Sequence, residues 1–206
     1  MEKIKKTFID RKAKPIGKYR NSAVMILLIE EEGETYILFE KRALTLKRQP
    51  GDISLPGGLI EENETPMEAA MRETEEELNV KGVNIELIGP MDYFISPYYT
   101  IMYPFVGKLH TNQITPNKDE VDHVFKVPLK YFLENEPMCY KLDIGPKLKD
   151  DFPFHLIEGG RNYKFGTGKI NEYFYLYDDY VIWGFTALII KRFVEILKEE
   201  NYDISC

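Results

Sequence analysis

Apolar runs and polar breaks along the first half of the chain predict a β-sheet. Two runs rich in β-branched residues, 23–29 and 35–39, flank a polar stretch around Gly33, and this arrangement predicts a β-hairpin. Apolar and polar residues alternate again over 83–88 and 99–109, which predicts two more strands. Because alternation turns one face of each strand toward a core, these strands need a further layer to pack against.

Helical signals separate the β regions and close the chain. Thr65 is a favourable N-cap, proline follows it, and Glu68 completes a capping box, so a helix is predicted to run to about Leu78. Further helices are expected over 129–133 and from about 183 to 198. Strands interleaved with helices, without a linker or an internal repeat, predict a single mixed α/β (α+β) domain.

Composition limits the class of protein and its location. The 206 residues are 44% hydrophobic, which is enough to bury a core. The two cysteines, Cys139 and Cys206, lie far apart, so a disulfide scaffold is excluded and a reducing compartment is favoured. No apolar run approaches the roughly 18 to 20 residues that cross a bilayer. The basic N-terminus lacks the apolar segment of a secretory signal and the chain does not end in Ser-Lys-Leu, so a cytoplasmic protein without a membrane partner is predicted.

Three glutamates on the helix predicted after Thr65 are candidates for chemistry. Glu73, Glu76 and Glu77 fall within an arc of roughly 100° beside the apolar face of this helix. Their mutual repulsion destabilises a bare helix, and Arg72 balances only part of their charge. Carboxylate oxygens in this arrangement suit Mg²⁺ or Mn²⁺ bound together with substrate phosphates. A solvated acidic face is the alternative that the helix alone leaves open.

The residues around this helix resemble the signature box of the Nudix hydrolases. Gly58 is followed after five residues by Glu64, and seven further residues lead to Arg72-Glu73-Thr74-Glu75-Glu76-Glu77-Leu78-Asn79-Val80. Asn79 replaces the usual glycine, and asparagine also tolerates a left-handed helix C-cap. The resemblance implies one domain over 1–206 with the Nudix fold, a mixed β-sheet sandwiched between helices, with a short N-terminal extension and a C-terminal helix.

The same resemblance implies roles for particular residues. It assigns the metal site to Glu73, Glu76 and Glu77 as ligands of Mg²⁺ or Mn²⁺, with Arg72, Glu64 and a carbonyl of Gly57 or Gly58 in support. Glu120 resembles the additional acid that many family members place on a loop after the box. Glu120 is therefore the expected general base, with Glu73 or Glu76 as alternatives. The implied reaction is hydrolysis of a nucleoside diphosphate linked to a second group.

The segment before the box resembles the extra motif of the coenzyme A pyrophosphatase branch. Arg42-Ala43, Gly51 and Pro56-Gly57-Gly58 match that motif, whereas Glu40, Lys47 and Leu55 stand where Thr, Arg and Phe are usual. The implied reaction converts coenzyme A or acyl-CoA to 3′,5′-ADP and 4′-phosphopantetheine or its acyl form. Four cations in eight residues are the expected phosphate-binding groups: Lys41, Arg42, Lys47 and Arg48.

The sequence leaves two alternatives to a coenzyme A pyrophosphatase open. ADP-ribose or a dinucleoside polyphosphate is the alternative substrate, and a catalytically silent nucleotide-binding regulator is the alternative kind of protein. A net charge of −7 disfavours sequence-specific nucleic-acid binding, so the expected partner is a small-molecule nucleotide diphosphate. A homodimer is left open.

Several further residues are expected to serve packing more than chemistry. The histidines at 110, 123 and 155 form no catalytic or metal-binding motif and are expected to be structural or exposed. Gly166-Thr167-Gly168-Lys169 lacks the first glycine and the final Ser or Thr of a phosphate-binding loop. Tyr98, Tyr99 and Tyr103 could stack on adenine, although tyrosines in strands more often pack.

Overall fold

The computed structural model describes residues 1–200 and residue 202. Cys206 and the C-terminal ending lie outside the described residues. Eight strands between Arg20 and Pro128 form one sheet. They are β1 (Arg20–Glu31), β2 (Glu34–Arg42), β3 (Ile53–Ser54), β4 (Gly57–Leu59), β5 (Ile85–Pro90), β6 (Phe94–Ser96), β7 (Thr100–Leu109) and β8 (Val121–Pro128). The helices that flank it and begin the chain are α1 (Glu2–Phe8), α2 (Pro66–Leu78), α3 (Leu129–Glu134) and α4 (Gly184–Glu199).

Strand β1 lies at the centre of this sheet. It pairs antiparallel with β2 and β4 and parallel with β7. Strand β7 pairs antiparallel with β5 and β6, and β2 pairs antiparallel with β3 and β8. The sheet is therefore mixed, as predicted.

Side chains of β1 alternate between two hydrophobic cores. Val24 and Ile26 belong to the core that includes residues of α3 and α4. Met25 and Leu27 belong to the core that includes residues of α2. Because each buried apolar side chain of this size contributes about 1.5–3 kcal/mol, the two faces of β1 hold both helical layers on the sheet. The prediction of a sheet sandwiched between helices is confirmed.

The predicted hairpin is confirmed and its turn is tight. Glu31 pairs with Glu34, which leaves only Glu32 and Gly33 in the loop. Both loop residues have positive φ angles, 52° and 85°, as a two-residue hairpin turn requires. The strand expected from residue 83 begins at Ile85, because the three preceding residues form a short 3₁₀ helix.

Three features of the fold were not predicted. Helix α1 opens the chain and buries none of its residues. Strand β8 follows the acidic loop that contains Glu120. A second, antiparallel sheet in the order β11-β10-β9 is formed by β9 (Met138–Ile144), β10 (Gly168–Tyr177) and β11 (Tyr180–Trp183). Among the described helices, none combines the length and apolar character needed to span a membrane.

Candidate active site

Helix α2 carries the acidic residues and has well-defined ends. The Thr65 hydroxyl accepts a hydrogen bond from the Glu68 N–H at 3.3 Å, and the Glu68 carboxylate accepts one from the Thr65 N–H at 2.8 Å. Asn79 takes the left-handed conformation at the other end, with φ 50° and ψ 45°. The predicted capping box and C-cap are confirmed, and they define where the helix begins and ends.

The glycine pair ahead of α2 lets the backbone approach its acids closely. A Cβ at Gly58 would lie 2.4 Å from the carboxylate carbon of Glu73, and a Cβ at Gly57 would lie 2.3 Å from the Ala23 carbonyl oxygen. The Gly57 N–H donates to a carboxylate oxygen of Glu77 at 2.8 Å. The contact between this loop and the acids is therefore made by an amide, whereas a carbonyl contact with a metal stays a prediction.

Arg72 organises the exposed side of the acidic cluster. Its Nε and Nη2 atoms donate to the two carboxylate oxygens of Glu64 at 2.8 and 3.1 Å. Its Nη1 atom donates to Glu73 at 2.9 Å and to Glu76 at 3.3 Å, and Nη2 also donates to the Leu59 carbonyl at 3.1 Å. Hydrogen bonding to Glu64 raises the pKa of Arg72 and lowers that of Glu64. Because the guanidinium fork is planar, these contacts fix where Glu73 points.

Burial raises the pKa of the deeper acids, whereas hydrogen bonding to Arg72 lowers that of Glu64. Glu77 is 5% exposed, and desolvation raises its pKa to about 7 even though it accepts the Gly57 N–H. Desolvation also raises the pKa of Glu73, against the ion pair with Arg72. Because burial disfavours the ionised form of these carboxyl groups, a bound cation would offset the cost of their charge.

Glu40 is a member of this cluster to which the sequence assigned no role. It lies on β2 two residues after Leu38, which packs in the α2-side core, so both side chains share one face of the strand. Glu40 is 1% exposed, and burial together with the charge of Glu77 raises its pKa well above its ordinary value. An acid at an inward position of an apolar strand was the available signal.

Glu120, the predicted general base, lies on a loop beside the acidic cluster. It is exposed on the loop before β8, and the Asn117 amide nitrogen donates to its carboxylate at 3.3 Å. Its charge contributes to the raised pKa of Glu40, Glu73 and Glu77, which places Glu120 within electrostatic reach of all three. The Asn117 N–H also donates to the Glu77 carbonyl at 2.8 Å, so this loop is tied to the end of α2.

The four predicted phosphate-binding cations divide into two pairs. Lys41 and Arg42 end β2, and the Nε atom of Arg42 is buried without a hydrogen-bond partner. Arg42 lowers the pKa of Glu40 in opposition to burial, so its charge lies close to the acids. Lys47 and Arg48 are exposed on the loop between β2 and β3. The second pair is thus the more exposed of the two.

The acids fit a hard divalent cation by their chemistry. Across residues 1–200 and 202, no three His, Cys, Asp or Glu side chains already form a complete cation site. Arg72 engages Glu73 and Glu76, while Glu77 accepts the Gly57 N–H. The Oε1 atom of Glu40 is nevertheless buried without a hydrogen-bond partner. Carboxylate oxygens of this kind are the ligands that Mg²⁺ and Mn²⁺ prefer.

His123, Tyr103 and the glycine-rich motif make contacts outside the acidic cluster. His123 contacts Asp122 at 2.7 Å and the Tyr180 hydroxyl at 2.9 Å. Tyr103 packs against Tyr93 with ring centroids 5.6 Å apart. Residues 168 and 169 of the glycine-rich motif pair with β9 as part of β10, and no helix follows them as a phosphate-binding loop requires.

Comparison with known proteins identifies the family. A family model described as the NUDIX domain matches residues 19–140, which contain the acidic cluster and its loops. The chain belongs to the Nudix family. The resemblance of its sequence to the Nudix hydrolases is thereby confirmed.

Individual Nudix relatives extend the match beyond the box. The chain is 31% identical over 181 residues to peroxisomal coenzyme A diphosphatase NUDT7 of Mus musculus, covering 87% of this chain and 71% of the mouse protein. It is 30% identical over 182 residues to chloroplastic Nudix hydrolase 22 of Arabidopsis thaliana, covering 84% of this chain and 54% of the plant protein. The chain thus spans about half the length of the plant relative.

A solved structure supports the fold. The MutT/nudix family protein from Enterococcus faecalis superposes with a TM-score of 0.54 at 16% identity, covering 96% of this chain and 70% of that one. At this identity the likeness concerns the fold alone. The mixed sheet between helices is therefore a Nudix fold.

Proposed function

We propose that this Nudix hydrolase cleaves the diphosphate of coenzyme A or acyl-CoA to 3′,5′-ADP and 4′-phosphopantetheine or its acyl form. One observation carries the proposal: the buried acids of α2 and β2 lie next to the strand end and loop that bear four cations. The Ala43 N–H donates to the Glu120 carbonyl at 2.8 Å, so the basic segment and the acidic loop are in direct contact. A substrate with a diphosphate and a further phosphate needs carboxylates to hold a metal ion at the diphosphate and cations to bind the further phosphate.

Glu73, Glu76 and Glu77 would hold Mg²⁺ or Mn²⁺. When bound, the cation neutralises the diphosphate and lowers the pKa of a coordinated water. Arg72 keeps Glu73 in place through the bidentate contact with Glu64. The side of the acidic cluster that faces Arg72 and Glu64 is therefore held rigidly, and the other side stays free for substrate.

Glu120 would act as the general base. In the proposed hydrolysis, the oxygen of a water joins one phosphorus of the diphosphate, the bond from that phosphorus to the bridging oxygen breaks, and the water proton passes to the Glu120 carboxylate. An exposed carboxylate on a loop can reach this water without distorting the buried acids. The contact with Asn117 orients it.

Lys47 and Arg48 would recognise the 3′-phosphate of coenzyme A. Both are exposed, and charge-assisted contacts to phosphate are among the strongest hydrogen bonds available on a surface. The mouse relative is named as a coenzyme A diphosphatase, which supports the choice of substrate. Cytoplasmic location and a single domain stay predictions, and a homodimer stays open.

The test compares kcat/KM for coenzyme A, 3′-dephospho-coenzyme A and ADP-ribose with saturating Mg²⁺. Coenzyme A should be preferred, and Lys47→Ala should reduce that preference by about tenfold for each 1.4 kcal/mol of lost contact. Lys130→Ala, which removes an exposed cation from α3, is the matched control. Equal values for the first two compounds would remove the 3′-phosphate contact, and faster hydrolysis of ADP-ribose would replace the proposed substrate.

The same assay tests whether the acids act at all. Glu76→Gln should lower kcat by at least roughly a hundredfold, because several kcal/mol of charge stabilisation is lost. Glu75→Gln removes a neighbouring charge from α2 and should leave kcat within about twofold. Unchanged turnover in a folded Glu76→Gln protein would refute the assignment, and absence of hydrolysis of any diphosphate by the wild type would favour a silent regulator.

A further inference from the structure

Glu40 poses an energetic problem that the box residues do not explain. Its side chain is 1% exposed, yet its Oε1 atom has no hydrogen-bond partner. A buried polar atom left unpaired costs about 1–3 kcal/mol, and more if it is charged. Native proteins retain such groups where a water, an ion or a functional role accounts for them.

The surroundings of Glu40 point to a cation. The charge of Glu77 raises the pKa of Glu40, so the two buried carboxyl groups lie close together, and one oxygen of Glu77 accepts the Gly57 N–H at 2.8 Å. Arg42 lies two residues further along β2 and lowers the pKa of Glu40, but its own Nε atom is buried and unpaired and does not satisfy Oε1. Two neighbouring carboxyl groups, both buried and one with an unpaired oxygen, are arranged as they would be to bind one cation together.

We propose that Glu40 is a further carboxylate ligand of the divalent cation, shared with Glu77. The proposal rests on the proposed function, since it concerns the same site. It adds a ligand from the sheet to those from α2. Strand β2 pairs with β1, β3 and β8, so Glu40 is anchored on a rigid part of the sheet. A cation between β2 and α2 would tie the two elements together.

The decisive experiment measures Mn²⁺ affinity without substrate. Isothermal titration calorimetry at about pH 8 gives Kd for the wild type, Glu40→Gln and the control Glu75→Gln. Glu75 also loses one charge but extends toward Gly82, away from the cluster. Removing Glu40 should raise Kd by at least about tenfold, whereas removing Glu75 should change it by less than about twofold.

Metal-free stability separates a lost ligand from a damaged fold. Glu40→Gln should melt at or above the temperature of the wild type in EDTA, because a buried repulsion disappears while the shape is kept. If Glu40→Gln does not fold, Glu40→Asp shortens the side chain by one methylene and should also weaken Mn²⁺ binding.

The outcomes separate this inference from the proposed function. An unchanged Kd in a folded Glu40→Gln or Glu40→Asp protein overturns the inference. If Glu76→Gln weakens Mn²⁺ binding and Glu40→Gln does not, the proposed metal site stands and Glu40 is excluded from it. A wild type that binds no Mn²⁺ overturns both.

Discussion

Raising the pH should destabilise the metal-free protein through Glu77. Burial raises the pKa of this carboxyl to about 7, from an ordinary value of 4.5, so the folded state holds its proton more tightly than the unfolded state. The stabilisation is fully present below about pH 4.5 and is lost as the pH rises through about 7. Through Glu77 the free energy of unfolding therefore falls as the pH rises, whereas an acid in a favourable ion pair makes it rise.

The structure sets the size of this effect. Glu77 is 5% exposed, so solvent screens its charge little. Each pH unit between the unfolded and the folded pKa is worth about 1.4 kcal/mol. From about pH 5 to about pH 8, the free energy of unfolding should fall by about 2–3 kcal/mol through this carboxyl. For a urea m-value near 2 kcal/mol/M, the transition midpoint should fall by about 1 M.

Urea unfolding in EDTA at several pH values measures the effect. Glu77→Gln replaces the carboxyl by a neutral group that can still accept the Gly57 N–H. The difference between wild type and Glu77→Gln isolates this carboxyl from other titrating groups. Glu62→Gln, which removes an exposed acid, serves as the control and should follow the wild type.

Two outcomes of the urea titration would contradict a buried, protonated Glu77. If the stability difference between wild type and Glu77→Gln stays constant from about pH 5 to about pH 8, Glu77 is not held protonated by burial. A wild type that gains stability relative to Glu77→Gln as the pH rises would reverse the sign and show that the carboxylate is favoured without metal.

Three further predictions concern the same cluster. Arg72→Lys should lower kcat by at least about tenfold, because an ammonium cannot reproduce the bidentate contact with Glu64. The assay is diphosphate hydrolysis at saturating Mg²⁺. An unchanged kcat would contradict the role of Arg72 in orienting Glu73. Gly58→Ala should fold but lose activity, since its Cβ meets only the carboxylate end of the Glu73 side chain and would displace it from Arg72. Gly57→Ala should lower the melting temperature, because its Cβ meets backbone. Equal melting temperatures of the two variants would contradict this contrast. Mn²⁺ at 100 times Kd should stabilise the fold by about 2.7 kcal/mol in thermal melts, and the variant with glutamine at all three box glutamates should lose that gain; equal shifts would place the ions elsewhere.

Much of the candidate site could be predicted because its signals are local. The capping box, the Asn79 C-cap and the spacing of the three box glutamates lie within one helix, where geometry follows from sequence separation. The hairpin at Gly33 is equally local, since a two-residue loop requires positive φ angles. Their positions were predicted well for this reason.

Other elements escaped prediction because their stability comes from partners distant in the chain. Strand β9 has a pattern of exposed residues and no clear alternation, and it is defined by pairing with β10 more than twenty residues later. Strand β8 forms against β2, which it follows by about eighty residues. Neither pairing has a signal within a short window.

The sequence by itself determined the acidic helix, its caps, the glycine pair and the family to which they belong. Only the tertiary structure decided that Glu40 joins the acids of α2 and that Arg42 lies beside them. Helical geometry sets the distances between residues of one helix, whereas a contact between β2 and α2 depends on how the sheet buries its two faces. Burial also decides which carboxyl resists ionisation, because a desolvation cost exists only once the layers have packed.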